Sequence, residues 1–258
     1  MGALRIVVAG ATGRMGRTVM RAIAESEGFT LAAALVRSGA RSDGMTGTTG
    51  DAVVTVDPRS AISAADAIVD FSTPHVSVRL SAMASEKRVP QVIGTTGFAA
   101  DQELEIEAAA RKTVIVKAPN LSVGVTLLAN LVKHAARALP DFDIEILEMH
   151  HRMKVDAPSG TALLLGHAAS DGRGASLRVS DPRQGAREKG AIGFASLRGG
   201  TMVGEHQAIF AGPHERLVLS HTAEDRMIFA RGALLAAQWA QGRSPGLYTM
   251  NDVLGLSG

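Results

Sequence analysis

The chain contains no cysteine. That excludes disulfides, thiol catalysis and thiolate-held metals, and it fits a reducing compartment. Aromatic residues make up only 3% of the 258 positions, so a core must come from Val, Ile, Leu and Ala. No apolar run reaches the roughly 18 residues that a membrane helix needs. The chain opens into a strand-like LRIVVAG instead of the basic and apolar segments of a secretory signal. A cytoplasmic protein with no membrane partner is expected. Basic residues form no long run: the formal net charge of +2 is spread along the chain, with little aromatic interleaving. Nucleic acid is therefore not expected as a partner, and no metal ligand set is assigned.

Glycine and alanine are abundant, and one glycine cluster follows a strand pattern at once. Leu4–Ala9 is an apolar run of strand length, GATGRMG spans 10–16, and 17–24 is an amphipathic helical stretch. Strand, glycine loop and helix form the context in which a glycine fingerprint predicts a dinucleotide site. In this G-x-x-G-x-x-G variant, Gly10 suits the tight turn, Gly13 the approach to a pyrophosphate and Gly16 close helix packing. Ala11, Thr12, Arg14 and Met15 complete the loop. The competing reading is a glycine turn with no ligand.

The second strand, 30–36, ends where such domains select their cofactor. A carboxylate there bonds the ribose hydroxyls of NAD, whereas an arginine accepts the 2′-phosphate of NADP. This chain has Val36 and Arg37, with Arg41 close behind and Asp43 several residues on. NADPH is the expected cofactor, with NADH as a second possibility. Further strand patterns end in small, polar loops: FSTP after 66–70, GTTG (Gly94, Thr95, Thr96, Gly97) after 91–93, and APNL (Ala118, Pro119, Asn120, Leu121) after 114–116. The alternation predicts an α/β domain with a Rossmann-like, doubly wound parallel sheet, whose strand carboxyl ends all face the ligand. This domain is expected to span 1–121 and to be completed by 231–258. Residues 122–230 form an α+β domain with a mixed or antiparallel sheet. Its expected strands are 192–197, 201–203, 207–211 and 215–220, and 171–190 reads as a mobile surface loop.

The stretch the chain is built to present is EMHHRMKVDAPSGT, 148–161. A strand pattern precedes it and an apolar helical run follows. Ser159 is a good N-cap, so Gly160 and Thr161 open a helix whose first N–H groups suit an anion. Lys154 adds a positive charge, and His150 and His151 can exchange protons near neutral pH. These residue types point to a small carboxylate-bearing substrate beside a proton source. The competing reading is a capped helix after a solvated basic loop.

Taken together, VAGATGRMGR, DFSTP, IGTTGF, APNLSVGV, EMHHRMKVDAPSGTA, GFASLRGG and VGEH closely resemble the 4-hydroxy-tetrahydrodipicolinate (dihydrodipicolinate) reductase family, over essentially the full length. The resemblance implies reduction of 4-hydroxy-tetrahydrodipicolinate by NAD(P)H with loss of water, in diaminopimelate and lysine biosynthesis, by a homotetramer. It implies proton transfer by His150 and Lys154. His151, Gly160 and Thr161 match substrate-binding positions, and residues 10–15, 94–96 and 118–121 match the dinucleotide contacts. One departure is Val36, where many members carry a ribose-binding Glu; the change is expected to weaken NADH while Arg37 keeps the phosphate contact. Two other readings stand beside this one: another two-domain amino-acid dehydrogenase, and a dinucleotide sensor without catalysis.

Overall fold

The computed structural model describes residues 2–39, 52–180 and 186–256, with 179 and 180 as backbone alone. Arg41 and Asp43 lie outside them. The elements in chain order are β1 (Leu4–Ala9), α1 (Arg14–Ala24), β2 (Phe29–Leu35), β3 (Val53–Thr55), α2 (Pro58–Ser63), β4 (Ala67–Asp70), α3 (Pro74–Lys87), β5 (Gln91–Ile93), α4 (Ala100–Ala110), β6 (Val114–Lys117) and α5 (Val123–Ala138). Then come β7 (Asp143–His150), α6 (Gly160–Arg173), β8 (Val179–Ser180), β9 (Ile192–Arg198), β10 (Gly204–Gly212), β11 (Glu215–Ala223), α7 (Met227–Trp239), β12 (Gly246–Tyr248) and α8 (Met250–Val253). The chain divides into two compact units, Met1–Ser122 with Met227–Gly258, and Val123–Arg226.

The first unit is a seven-stranded sheet in the order β12-β6-β5-β4-β1-β2-β3, with every pairing parallel. A parallel sheet covered on both faces needs near-continuous apolar strands, and β1 meets that demand beyond its exposed Arg5: Ile6, Val7, Val8 and Ala9 are all fully buried. Ile6 and Val8 join the core with Val19 and Met20 of α1 and Ala230 and Leu234 of α7. Val7 and Ala9 join Ile62 of α2 and Leu80 of α3 on the other face. The final strand and helices complete this unit from the far end of the chain; β12 pairs with β6 through Gly246–Tyr248.

The second unit has a five-stranded mixed sheet, β11-β10-β7-β9-β8. β10 runs antiparallel to β7 and β11, while β7–β9 and β8–β9 are parallel. The alternation in β7 puts Ile144 and Ile146 into a core with Leu128 and Val132 of α5, Leu165 and Ala169 of α6, and Phe194 and Phe210. The two helices therefore cover one face.

Two expectations are corrected here. Residues 201–203 form no strand, because Gly200 takes a left-handed φ of 48° and the segment turns instead between β9 and β10. Its Met202 carbonyl accepts the His151 N–H (2.9 Å) and the Gly200 carbonyl accepts the Arg152 N–H (3.3 Å). The polar stretch 171–190 is not a plain loop either: α6 continues to Arg173, closes on Gly174 with φ 64°, and β8 follows.

Candidate active site

The carboxyl ends of β1, β2, β4, β5 and β6 form one edge of the first sheet. β1 has β2 on one side and β4 on the other, so the chain reverses direction across the sheet there, which is where open α/β sheets take their ligands. Gly10 has φ 74°, and a Cβ on it would lie 2.5 Å from the Phe71 carbonyl oxygen, so only glycine fits. A Cβ on Gly16 would lie 2.3 Å from the Gly10 oxygen, so its absence lets α1 start against the loop. Gly13 is the N-cap of α1 and makes no side-chain cap. The first-turn N–H groups of Arg14, Met15 and Gly16 thus have no intrahelical acceptor and suit a pyrophosphate.

Beside this loop is a cavity of about 640 Å³, bordered by Gly10, Thr12, Gly13, Val36 and Arg37. Arg79 of α3 also borders it, a residue that gave no sequence signal because an arginine inside a helix reads as solvated surface. No Asp or Glu lines the cavity among the described residues. Ala11 is buried beneath the loop, and Arg14 and Met15 lie on the first turn of α1, outside the cavity lining. Gly94, Thr95 and Thr96 follow β5 on the same edge, and Ala118, Pro119, Asn120 and Leu121 follow β6. The Thr95 hydroxyl is buried with no hydrogen-bond partner, an orphan that a bound dinucleotide would satisfy. The glycine loop, the free helix start, the arginines and this hydroxyl fit a nicotinamide dinucleotide.

In the second unit, the residues of the 148–161 stretch come together at the end of β7. His150 is the last residue of that strand and is 8% exposed. Its ring packs edge-on to His206 of β10, with centroids 5.1 Å apart. His151 begins a turn in which the Lys154 N–H reaches the His151 carbonyl at 3.1 Å. Lys154 Nζ lies 2.8 Å from each carboxylate oxygen of Asp156. The lysine thus brings its positive charge as one half of an ion pair. Asp156 was passed over because a carboxylate two residues from a lysine reads as ordinary loop chemistry.

The helix after this turn is capped as expected. Ser159 Oγ accepts the Ala162 N–H at 3.1 Å, the Ser159 carbonyl accepts the Leu163 N–H at 3.0 Å, and Gly160 is exposed at the helix mouth with Thr161 beside it. The hydroxyl of Ser159 also meets His206 Nε2 at 3.0 Å. Under this mouth lies Glu148, 1% exposed. Arg198 grips it with a two-pronged bond, 2.8 Å to Oε2 and 2.7 Å to Oε1, and His150 Nδ1 is 2.5 Å from Oε2. Burial works to raise the Glu148 pKa, but hydrogen bonds from Arg198, Ser196 and His150 outweigh it and hold the group at about 2. Burial is also the leading influence on His150 and His206, lowering both, the latter to about 4. Arg198, Glu148 and His206 lie within sequence motifs that assign them no role. Their meeting depends on the pairing of β7 with β9 and β10, which no local pattern announces.

A parallel-sheet unit whose glycine loop fits a dinucleotide, in one chain with a unit that carries His150, Lys154 and the capped start of α6, fits the class of nicotinamide-dependent oxidoreductases. Within that class, the family models for the N-terminus and the C-terminus of dihydrodipicolinate reductase match residues 4–121 and 124–254, and the chain belongs to this family. It is 54% identical to the 4-hydroxy-tetrahydrodipicolinate reductase of Beijerinckia indica over all of both chains. It is 54% identical to that of Parvibaculum lavamentivorans over 98% of each. It also resembles the solved structure of dipicolinate-bound dihydrodipicolinate reductase from Paenisporosarcina sp. TG-14, with a TM-score of 0.81, 26% identity, and 97% and 99% of the two chains covered.

Proposed function

We propose that this protein reduces 4-hydroxy-tetrahydrodipicolinate to tetrahydrodipicolinate with loss of water, in the diaminopimelate route to lysine. The observation that supports the proposal is the stretch from His150, which ends β7, through Lys154 to the start of α6 at Gly160, in a chain of this family. The substrate has two carboxylates. The N–H groups at Gly160 and Thr161 hold one, an arrangement worth about 0.3–1 kcal/mol per exposed helix terminus and up to about 2 when partly buried. His151 and the cationic turn hold the other. The dinucleotide, when bound, supplies the hydride. Lys154 gives the proton that quenches the charge left on the ring, and His150 exchanges the proton that accompanies loss of water. Asp156 holds the Lys154 ammonium in place.

Arg37 and Arg79, at a cavity with no Asp or Glu among its described lining residues, support NADPH as the preferred cofactor, with NADH accepted more weakly. Residues 10–15, 94–96 and 118–121 are its proposed contacts. We place the reaction in the cytoplasm, a reducing compartment that a chain without cysteine fits.

The uncovered face of the second sheet carries Leu147, Met149, Ala195, Leu197, Ile209 and Val218, by the register of β7 with β9 and of β10 with β7 and β11. Leu197 and Val218 are each 48% exposed. The same face carries Glu145, Glu205 and Gln207. We read this mixed face, with its exposed Leu197 and Val218, as the surface on which four copies assemble; light scattering that gave a monomer mass would remove that reading.

The function is tested by following the reduced-nicotinamide absorbance on adding freshly generated substrate. Dipicolinate, a planar dicarboxylate analogue, should compete with the substrate. Absence of competition would count against the carboxylate site. Oxidation of free amino acids would favour an amino-acid dehydrogenase instead.

A further inference from the structure

We propose that Glu148 is a positioning residue that fixes, through one buried carboxylate, both the proton-bearing nitrogen of His150 and the seat of the α6 mouth. This rests on the roles proposed above for His150 and for the helix start. The geometry is specific. Oε2 meets His150 Nδ1 at 2.5 Å, and Oε1 accepts the Ser159 N–H at 3.2 Å. Ser159 is the N-cap of α6. Arg198 takes one bond to each oxygen, and its Nη2 also reaches the Asp156 carbonyl at 2.6 Å. A purely structural ion pair would be complete with the Arg198 fork. Here the carboxylate also binds the two groups on which proton transfer and carboxylate binding depend.

The chemistry follows from what an ionised carboxylate can do. It accepts hydrogen bonds and donates none, so the proton in the short contact belongs to His150 Nδ1. Nε2 is then the nitrogen that works on substrate. It faces Gly204, where a Cβ would come within 2.8 Å of it. The charged and titratable groups around His150 are Arg198 from β9, Lys154 and Asp156 from the turn, and His206 from β10, with His221 of β11 across from His206. Lys154 and Arg198 both oppose protonation of His150, and Glu148 is the anion that favours it. Without that anion the imidazole would lose the partner that fixes its tautomer and the charge that favours its protonation.

The test joins nitrogen-15 NMR of His150 with kinetics. In the native protein near neutral pH, the His150 shifts should show the Nδ1–H tautomer; an Nε2–H tautomer would overturn the proposal, and this needs no variant. In Glu148→Gln, kcat should fall about 100-fold, the limb of the pH profile that reports His150 should move to lower pH, and the KM for the hydroxy acid should rise. Arg198→Lys keeps a cation but loses the fork, so it should lower the melting temperature while the Nδ1–H signature stays. If Glu148→Gln melted lower yet kept the native pH profile and His150 shifts, Glu148 would be a structural anchor alone. If native protein with the Nδ1–H signature failed to reduce the hydroxy acid, the proposed reaction would fall and the carboxylate clamp would stand.

Discussion

Lys154 Nζ sits 2.8 Å from both oxygens of Asp156, so the lysine proposed to donate a proton is itself held by a carboxylate. Removing the ammonium and removing its holder should differ. Lys154→Ala should lower kcat by about 100-fold or more, the usual loss of a general acid. Asp156→Ala should cost less, since the ammonium remains and only its placement suffers. Stopped-flow turnover of both variants checks this; unchanged turnover in Lys154→Ala would remove the lysine from the chemistry.

A methyl group at Gly204 would point at His150. The 2.8 Å approach of a Cβ to Nε2 is too close for an unmoved ring, and a displacement of about 1 Å in a catalytic group can cost about 100-fold. Gly204→Ala should therefore lower kcat by about 10- to 100-fold. Circular dichroism should show a native fold, because Gly204 has no positive φ and the close contacts of its Cβ are with the His150 ring.

Cofactor choice should reside at the end of β2. Arg37 is exposed at the cavity rim, and a charge-assisted hydrogen bond contributes about 1.5–3 kcal/mol. Arg37→Ala should weaken NADPH binding by about 10-fold or more and leave NADH binding within a factor of about 2. Equilibrium quenching of the bound reduced nicotinamide's fluorescence reads both. Equal losses for the two cofactors would contradict a 2′-phosphate role.

Acid should weaken the fold in two stages. His206 is held neutral, with its pKa lowered from 6.5 to about 4, so between those values the unfolded chain takes the proton first and stability falls as pH falls. Glu148 is lowered from 4.5 to about 2; its contribution is complete above the higher value and is lost as pH drops through the lower. Urea midpoints at pH 7, 5 and 3 should decline in order. His206→Gln should shrink the decline between pH 7 and 5, and also the part of the next interval that lies above about pH 4.

The sequence disclosed what depends on neighbours along the chain. The burial of β1, the glycine loop and the Ser159 cap are all local matters of spacing and residue type. So was the ending of several parallel strands in small polar loops. What stayed hidden depends on partners far apart in sequence. Arg198 is 50 residues from Glu148, and Ser159 is 47 from His206. Arg79 looks like any helix-surface arginine until α3 is laid against the sheet. At 201–203 Met202 and Val203 suit a strand by residue type, but the turn at Gly199–Gly200 is set by a left-handed backbone that two glycines in sequence do not by themselves disclose.

The most direct measurement is the rate at which the purified protein oxidises NADPH, and separately NADH, when freshly generated 4-hydroxy-tetrahydrodipicolinate is supplied. The predicted result is substrate-dependent oxidation of both with a clear advantage for NADPH, and tetrahydrodipicolinate as product. A folded protein that binds NADPH yet oxidises neither cofactor would contradict the account.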